Sequence, residues 1–211
     1  MTVCEIIYLE KGKYRVVFDR ADELIMYRSE LKESCLEEGG FLSDDKYDDL
    51  ICNVIGKRAT KRAMHILEKR DKTEKQLRDK LKENSYPDKS IDIAIDYVKS
   101  FGYLDDERYC YNYISYRIEK QSAYKLKSAL LLKGIDKTII ESVYEELNDS
   151  SYAVEQIASL LEKKHFFDYI NDSDKKNKII QSIMRKGYGY SQILDVIKNC
   201  KKNQDIGDEI L

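Results

Sequence analysis

The sequence predicts a mainly α-helical protein: tandem three-helix repeats behind a small N-terminal α+β cap. Three observations carry this reading. Leu, Ile, Lys and Glu dominate, with one proline and nine glycines in 211 residues, which favours helices over a sheet of many short strands. One apolar spacing recurs three times along the chain. Residues 1 to 55 break that pattern with β-rich runs.

In the leader, Thr2 to Leu9 and Tyr14 to Phe18 read as strands around the turn-like Glu10-Lys11-Gly12-Lys13, a hairpin. DELIMY offers a third strand, and RSELKESCLEEGG reads as a short helix closed by Gly39 or Gly40.

The repeats emerge when Ser85, Gly134 and Gly187 are set as a common zero. Eight and four residues earlier stand Leu77 and Leu81, Leu126 and Leu130, then Ile179 and Ile183, each pair one turn apart near a helix end. One residue after zero comes Tyr86, Ile135 or Tyr188, a bulky plug for the corner between two helices, and a small residue at zero permits the turn. Six residues after zero begins an i, i+3, i+4, i+7 stripe: Ile91, Ala94, Ile95, Val98; Ile140, Val143, Tyr144, Leu147; Ile193, Val196, Ile197, Cys200. Earlier apolar stretches at 59 to 70, 109 to 120 and 152 to 163 supply a third helix to each unit. The zeros are 49 and 53 residues apart, a spacing at which helical repeats stack. The expected segments are a cap at 1–55, repeat 1 at 56–104, repeat 2 at 105–148, and repeat 3 with a tail at 149–211.

The run FGYLDDERYCYNYI poses the question of whether Asp105 and Asp106 are a catalytic pair. GFLSDDKYDDLI aligns with it without a gap, placing Ser43 on Asp105. Serine and aspartate are interchangeable as helix N-caps, whereas a hydroxyl cannot replace a catalytic carboxylate, so Gly102, Tyr103, Leu104, Asp105 and Asp106 read as a structural motif. Asp106 and Glu107 then fall in the first turn, where negative charge suits the helix dipole. The same helix carries Tyr109, Cys110, Tyr113 and Ile114 on an expected buried face, with Tyr111 and Tyr116 outside it; base stacking is the alternative use for these rings.

Nothing else in the sequence points to catalysis. No GxxxxGK[ST], GxGxxG, GxSxG or HExxH occurs, so the expectation is a non-enzyme without cofactor or metal. The five cysteines are scattered without a CxxC pair, which suits small apolar positions in a reducing compartment. No run of about eighteen apolar residues and no signal-peptide core is present, so a cytoplasmic protein without membrane association is expected.

Charge is uneven. Residues 1 to 55 carry 7 basic and 13 acidic side chains, whereas 57 to 82 carry 11 against 4, 117 to 137 carry 6 against 2, and 163 to 186 carry 7 against 3. Each basic run is either a solvated helix face or an attraction for an anionic partner.

The runs AMHILEKRDKTEKQLRDKLKENSYP, FGYLDDERYCYNYISYR, LLLKGID and IIQSIMRKGYGYSQILDVI together resemble the RecX regulatory family, modulators of the RecA recombinase. Gly102 to Asp106 with Arg70, Arg117 and Lys133-Gly134-Ile135 stand at family-like spacings. Two turns depart from the pattern: Asn84-Ser85 replaces the usual glycine of the first turn, and Gln121-Ser122-Ala123 stands where a glycine is common.

The resemblance implies an elongated, curved array that lodges, as a monomer, in the groove of the RecA filament on single-stranded DNA. There it would suppress ATP hydrolysis, strand exchange and co-protease activity. The basic runs suggest the contacts: Lys57, Arg58, Lys61, Arg62, Lys69 and Arg70, then Arg117, Lys125, Lys127, Lys133, Arg185 and Lys186. Arginines rank first because a guanidinium can grip phosphate or carboxylate with two bonds. For Arg117 an inter-helix salt bridge is the alternative. The rival functions are a direct DNA-binding protein with helix-turn-helix-like pairs and a generic helical-repeat scaffold for an unrelated partner; weak direct nucleic-acid binding beside RecA is a further expectation.

Overall fold

The computed structural model describes residues 1–20, 22–147 and 150–208. The chain forms two compact units, residues 1–106 and 107–211. Positions 149 and 209–211 of the expected third repeat and tail lie outside the described residues.

Unit 1 opens with an antiparallel meander of β1 (Val3–Tyr8), β2 (Lys13–Phe18) and β3 (Glu23–Tyr27). The β1–β2 turn places Lys11 at φ 54° and Gly12 at φ 73°, the paired left-handed residues that match the twist of a tight hairpin. Alternate residues Val16 and Phe18, then Leu24 and Met26, are buried on one face of the sheet. They join Leu42, Leu50, Ile51 and Ile55 in the first core. Helix α1 (Arg28–Glu33) is shorter than the sequence suggests. It closes at Cys35, φ 50°, not at Gly39 or Gly40, because Leu36 turns back to donate to the Leu31 carbonyl and both leucines pack on the sheet core.

Ser43 caps α2 (Asp44–Asp49) by accepting from the Lys46 N–H. The helix continues through a π-helical segment, Leu50–Ile55, into α3 (Gly56–Lys69), so one helical path crosses the expected junction of cap and first repeat. The wide turn is supported from outside: the buried Ser90 hydroxyl donates to the Ile51 carbonyl at 3.1 Å. Helices α4 (Glu74–Glu83) and α5 (Asp88–Ser100) complete the unit. Ala59, Ala63, Leu77, Leu81, Ile91, Ala94, Ile95 and Val98 form the second core, with the α5 stripe where the periodicity puts it.

Unit 2 contains α6 (Asp106–Ser115, entering from unit 1), α7 (Ala123–Leu132), α8 (Lys137–Leu147), α9 (Ser150–Lys163), α10 (Ser173–Met184) and α11 (Tyr190–Asp208). Cys110, Ile114, Leu126, Leu130, Ile140 and Val143 make one core; Ile157, Leu161, Phe166, Ile183, Ile193, Val196 and Ile197 make another. Two details differ from the sequence reading. Helix α6 stops at Ser115 rather than running to 120, and the Ile118 carbonyl in the turn beyond it accepts from Gln156 at 2.6 Å. On α10 the buried neighbour of Ile183 is Ile180, with Ile179 only partly covered.

All three repeat zeros are left-handed: Ser85 at φ 59°, Gly134 at 84° and Gly187 at 97°. In the first two turns the following residue donates back over the helix end, Tyr86 to the Leu81 carbonyl and Ile135 to the Leu130 carbonyl, satisfying groups the helix would leave bare. Gly102 repeats the device after α5 at φ 67°, with Tyr103 donating to the Val98 carbonyl.

Candidate functional site

Helix α3 buries small residues, Gly56, Ala59 and Ala63, and leaves Lys57, Lys61, Arg62 and Lys69 exposed; Arg70, just past its end, is exposed as well. Arg58 behaves differently. Its guanidinium lies 5.1 Å from the Tyr27 ring and 5.3 Å from the Tyr86 ring, and pairs with Glu30 at 2.5 Å. It also donates to the Ile25 carbonyl at 2.6 Å. Among the six cations expected on this surface it alone is held inside the unit, joining the sheet and α1 to α3. Other cations of the basic run are also matched: Arg78 pairs with Glu74 at 2.7 Å and Asp92 at 2.6 Å, Lys80 with Glu83, and Lys82 with Asp88.

The motif Gly102 to Asp106 lies against the start of α4. Leu104 is buried in the second core, and the amide N–H groups of Tyr103 and Leu104 both donate to the Val98 carbonyl. Thr73 and Gln76 form a reciprocal capping box on α4. The Asp106 carboxylate adds a third acceptor by taking the Glu74 N–H at 2.8 Å. Burial raises the Asp106 pKa, the bond from the Glu74 N–H acts the other way, and the Glu74 charge adds to the rise. Burial would also raise the Glu74 pKa, but hydrogen bonds from Lys99 and Arg78 outweigh it and hold this carboxyl below its ordinary value. Asp105 directly precedes α6, the N-cap position that the alignment with Ser43 gave it. The Thr-x-x-Gln box was legible in sequence. So was the i, i+4 pair of Glu74 and Arg78 on α4. The Asp106 bridge and the ties of Arg78 to Asp92 and of Glu74 to Lys99 were not, because those partners lie on different helices.

In unit 2, Arg117 stacks on Tyr113 at 4.2 Å and donates to the Tyr113 carbonyl at 3.2 Å; it enters no ion pair among the described residues. Lys127 lies over Tyr144 at 4.7 Å, and Lys133 over Tyr109 and Tyr113 at 5.8 and 5.7 Å. Tyr109 and Tyr113 are therefore half-buried supports for cations, while Tyr111 and Tyr116 are exposed as expected. Lys125, Arg185 and Lys186 meet in one cleft of about 800 Å³, together with Lys120 and Lys163, which the sequence reading did not single out. Two hydrogen bonds join residues of its lining: Ser122 donates to the Lys186 carbonyl, and Gln156 accepts from the Tyr188 hydroxyl.

Among the described residues no cluster of His, Cys, Asp and Glu could hold a metal ion, and no helix is long and apolar enough to cross a membrane.

A family model described as the first three-helix domain of RecX matches residues 59–97, which fall within α3 to α5. A second, described as the second three-helix domain of RecX, matches 105–143, from α6 into α8. The chain is 33% identical over 202 residues to the regulatory protein RecX of Clostridium beijerinckii, covering 94% of each chain. It is 32% identical to the regulatory protein RecX of Clostridium acetobutylicum, covering 77% of this chain and 78% of the relative. In fold it is similar to a crystal structure of regulatory protein RecX, with a TM-score of 0.62 at 21% identity, covering 92% of this chain and 98% of that one. It is also similar to the structure of RecX from Lactobacillus salivarius, with a TM-score of 0.57 at 24% identity, covering 69% of this chain and 96% of that one. With relatives at this identity over nearly the full length, and both matched domains lying on the helices built around these turns, the chain belongs to the RecX family.

Proposed function

We propose that the protein is a non-catalytic cytoplasmic regulator that binds the RecA filament on single-stranded DNA and restrains its ATPase, recombinase and co-protease activities. Membership of the RecX family supports this choice of partner. The observation that carries the contact is the exposed cationic surface of α3 and its C-terminal cap, where Lys57, Lys61, Arg62 and Lys69 on the helix and Arg70 just past it all face solvent. A row of cations on one helix suits the phosphates or acidic groove of a polymer, and several weak patches on one chain act together. In this reading the repeats are the units 56–104, 105–148 and 149–211, acting as a monomer. Arg117, Lys125, Lys127, Lys133, Arg185 and Lys186 continue the contact, while Arg58 has a structural role.

The test adds the protein, below equal stoichiometry, to RecA on single-stranded DNA and follows ATP hydrolysis. The expected result is dose-dependent inhibition that weakens when Lys61, Arg62 and Arg70 are reversed to glutamate. Unchanged hydrolysis at equal stoichiometry overturns the proposal. Tight binding to naked duplex DNA without any response of RecA would assign a direct DNA-binding role instead.

A further inference from the structure

Helices α7 and α9 each turn one side toward the 800 Å³ cleft of unit 2. On α7 the cleft is lined by Tyr124, Lys125, Ser128, Ala129 and Leu132, the three- and four-residue spacing of a single helix face. On α9 Gln156, Ser159, Leu160 and Lys163 do the same. Two helix faces meeting in a furrow make a seat for a third helix, and the small side chains of Ser128, Ala129 and Ser159 allow close approach of its backbone.

The seat has an apolar side. Leu132 is 80% exposed and Tyr124 is 68% exposed, both on the α7 wall, large side chains that packing within the unit leaves open. Its charge is strongly one-sided. Five cations, Lys120, Lys125, Lys163, Arg185 and Lys186, line it against two carboxylates, Glu119 and Glu155. None of the five enters an ion pair among the described residues.

We infer that this cleft receives an acidic amphipathic α-helix of a protein partner. The apolar stripe of that helix packs on Leu132, Ala129 and Leu160, and its flanking carboxylates face Lys125, Lys163 and Arg185. The α7 lining from Tyr124 to Leu132 spans about 12 Å at helical rise, so a helix of roughly two turns covers it. A nucleic-acid strand would find the cations. It would find one exposed ring for stacking, Tyr124, since Tyr188 is 8% exposed, and an aliphatic wall with no use for bases. The inference does not depend on recombinase binding, because it follows from unit 2 alone.

The test measures fluorescence anisotropy of the full-length protein with a labelled peptide of about 16 residues, bearing leucines at i, i+3, i+4 and i+7 and glutamates elsewhere. The controls are a scrambled peptide of identical composition and a labelled oligothymidylate. Saturable binding of the amphipathic peptide is expected, about tenfold tighter than the scrambled form and weakened about tenfold or more by Lys125→Glu with Arg185→Glu. Leu132→Ser, at an exposed site that does not endanger folding, should weaken it several-fold without changing the melting curve. Equal affinity for the scrambled peptide, indifference to both variants, or absence of binding overturns the inference. Preference for oligothymidylate overturns it in favour of a nucleic-acid track. Because neither recombinase nor ATP is present, this result and the outcome of the filament assay are independent.

Discussion

The Asp106 carboxylate accepts the main-chain N–H of Glu74 at 2.8 Å, tying the first residue of α6 to the first residue of α4 across 32 positions of sequence. The motif Gly102 to Asp106 therefore organises a helix start other than its own. Asp106→Ala should cost about 1–2 kcal/mol, and Asp106→Asn, which keeps an acceptor oxygen, should cost less than half of that in urea unfolding.

The two carboxylates of this junction should respond to pH in opposite directions. Asp106 has a raised folded pKa, so ionising it costs stability, and its contribution falls as pH rises from its ordinary value near 3.8 through the folded value. Glu74 has a lowered folded pKa, so its contribution is present above its ordinary value near 4.5 and is lost as pH falls through the folded one. Urea midpoints measured across the acid range should show Glu74→Gln least different from wild type at the lowest pH. The difference between Asp106→Asn and wild type should shift toward the variant as pH rises.

Arg58 and Arg62 lie one turn apart on α3 but should give opposite phenotypes. Arg58→Ala leaves Glu30, whose side chain is 14% exposed, without its guanidinium, and removes the packing between Tyr27 and Tyr86; a loss of about 2–4 kcal/mol is expected. Arg62→Glu, at an exposed position, should change melting by less than about 0.5 kcal/mol while weakening inhibition of RecA. Thermal unfolding beside the ATPase assay separates the two.

The left-handed turns offer a paired test. Gly187 leaves no room for a side chain: an added Cβ would lie 2.7 Å from the Tyr124 Cβ and 2.9 Å from the Ser122 Oγ, at φ 97°. Gly187→Ala should destabilise unit 2 by about 2 kcal/mol or more. Ser85 adopts φ 59° as a non-glycine residue, so Ser85→Gly should be neutral or stabilise by up to about 1 kcal/mol. Calorimetric melting of both variants checks the contrast.

By itself the sequence determined the helices, their buried stripes and the three turns that separate them. Ile91, Ala94, Ile95 and Val98 are buried where their spacing puts them, and Ser85, Gly134 and Gly187 are left-handed where the common zero falls. These features follow from physics within a few residues of chain: periodicity, capping and backbone sterics repeat locally and can be read locally. The tertiary structure decided which cations are paired within the fold and which are exposed. It turned Arg58 inward to Glu30, extended Asp106 to α4, chose Ile180 over Ile179, and gathered Lys120, Lys125, Lys163, Arg185 and Lys186 around one furrow. Each of these outcomes depends on side chains tens of residues apart meeting in space, and a lysine or arginine on a helix surface has the same local signature whether it faces water, a ring or a carboxylate.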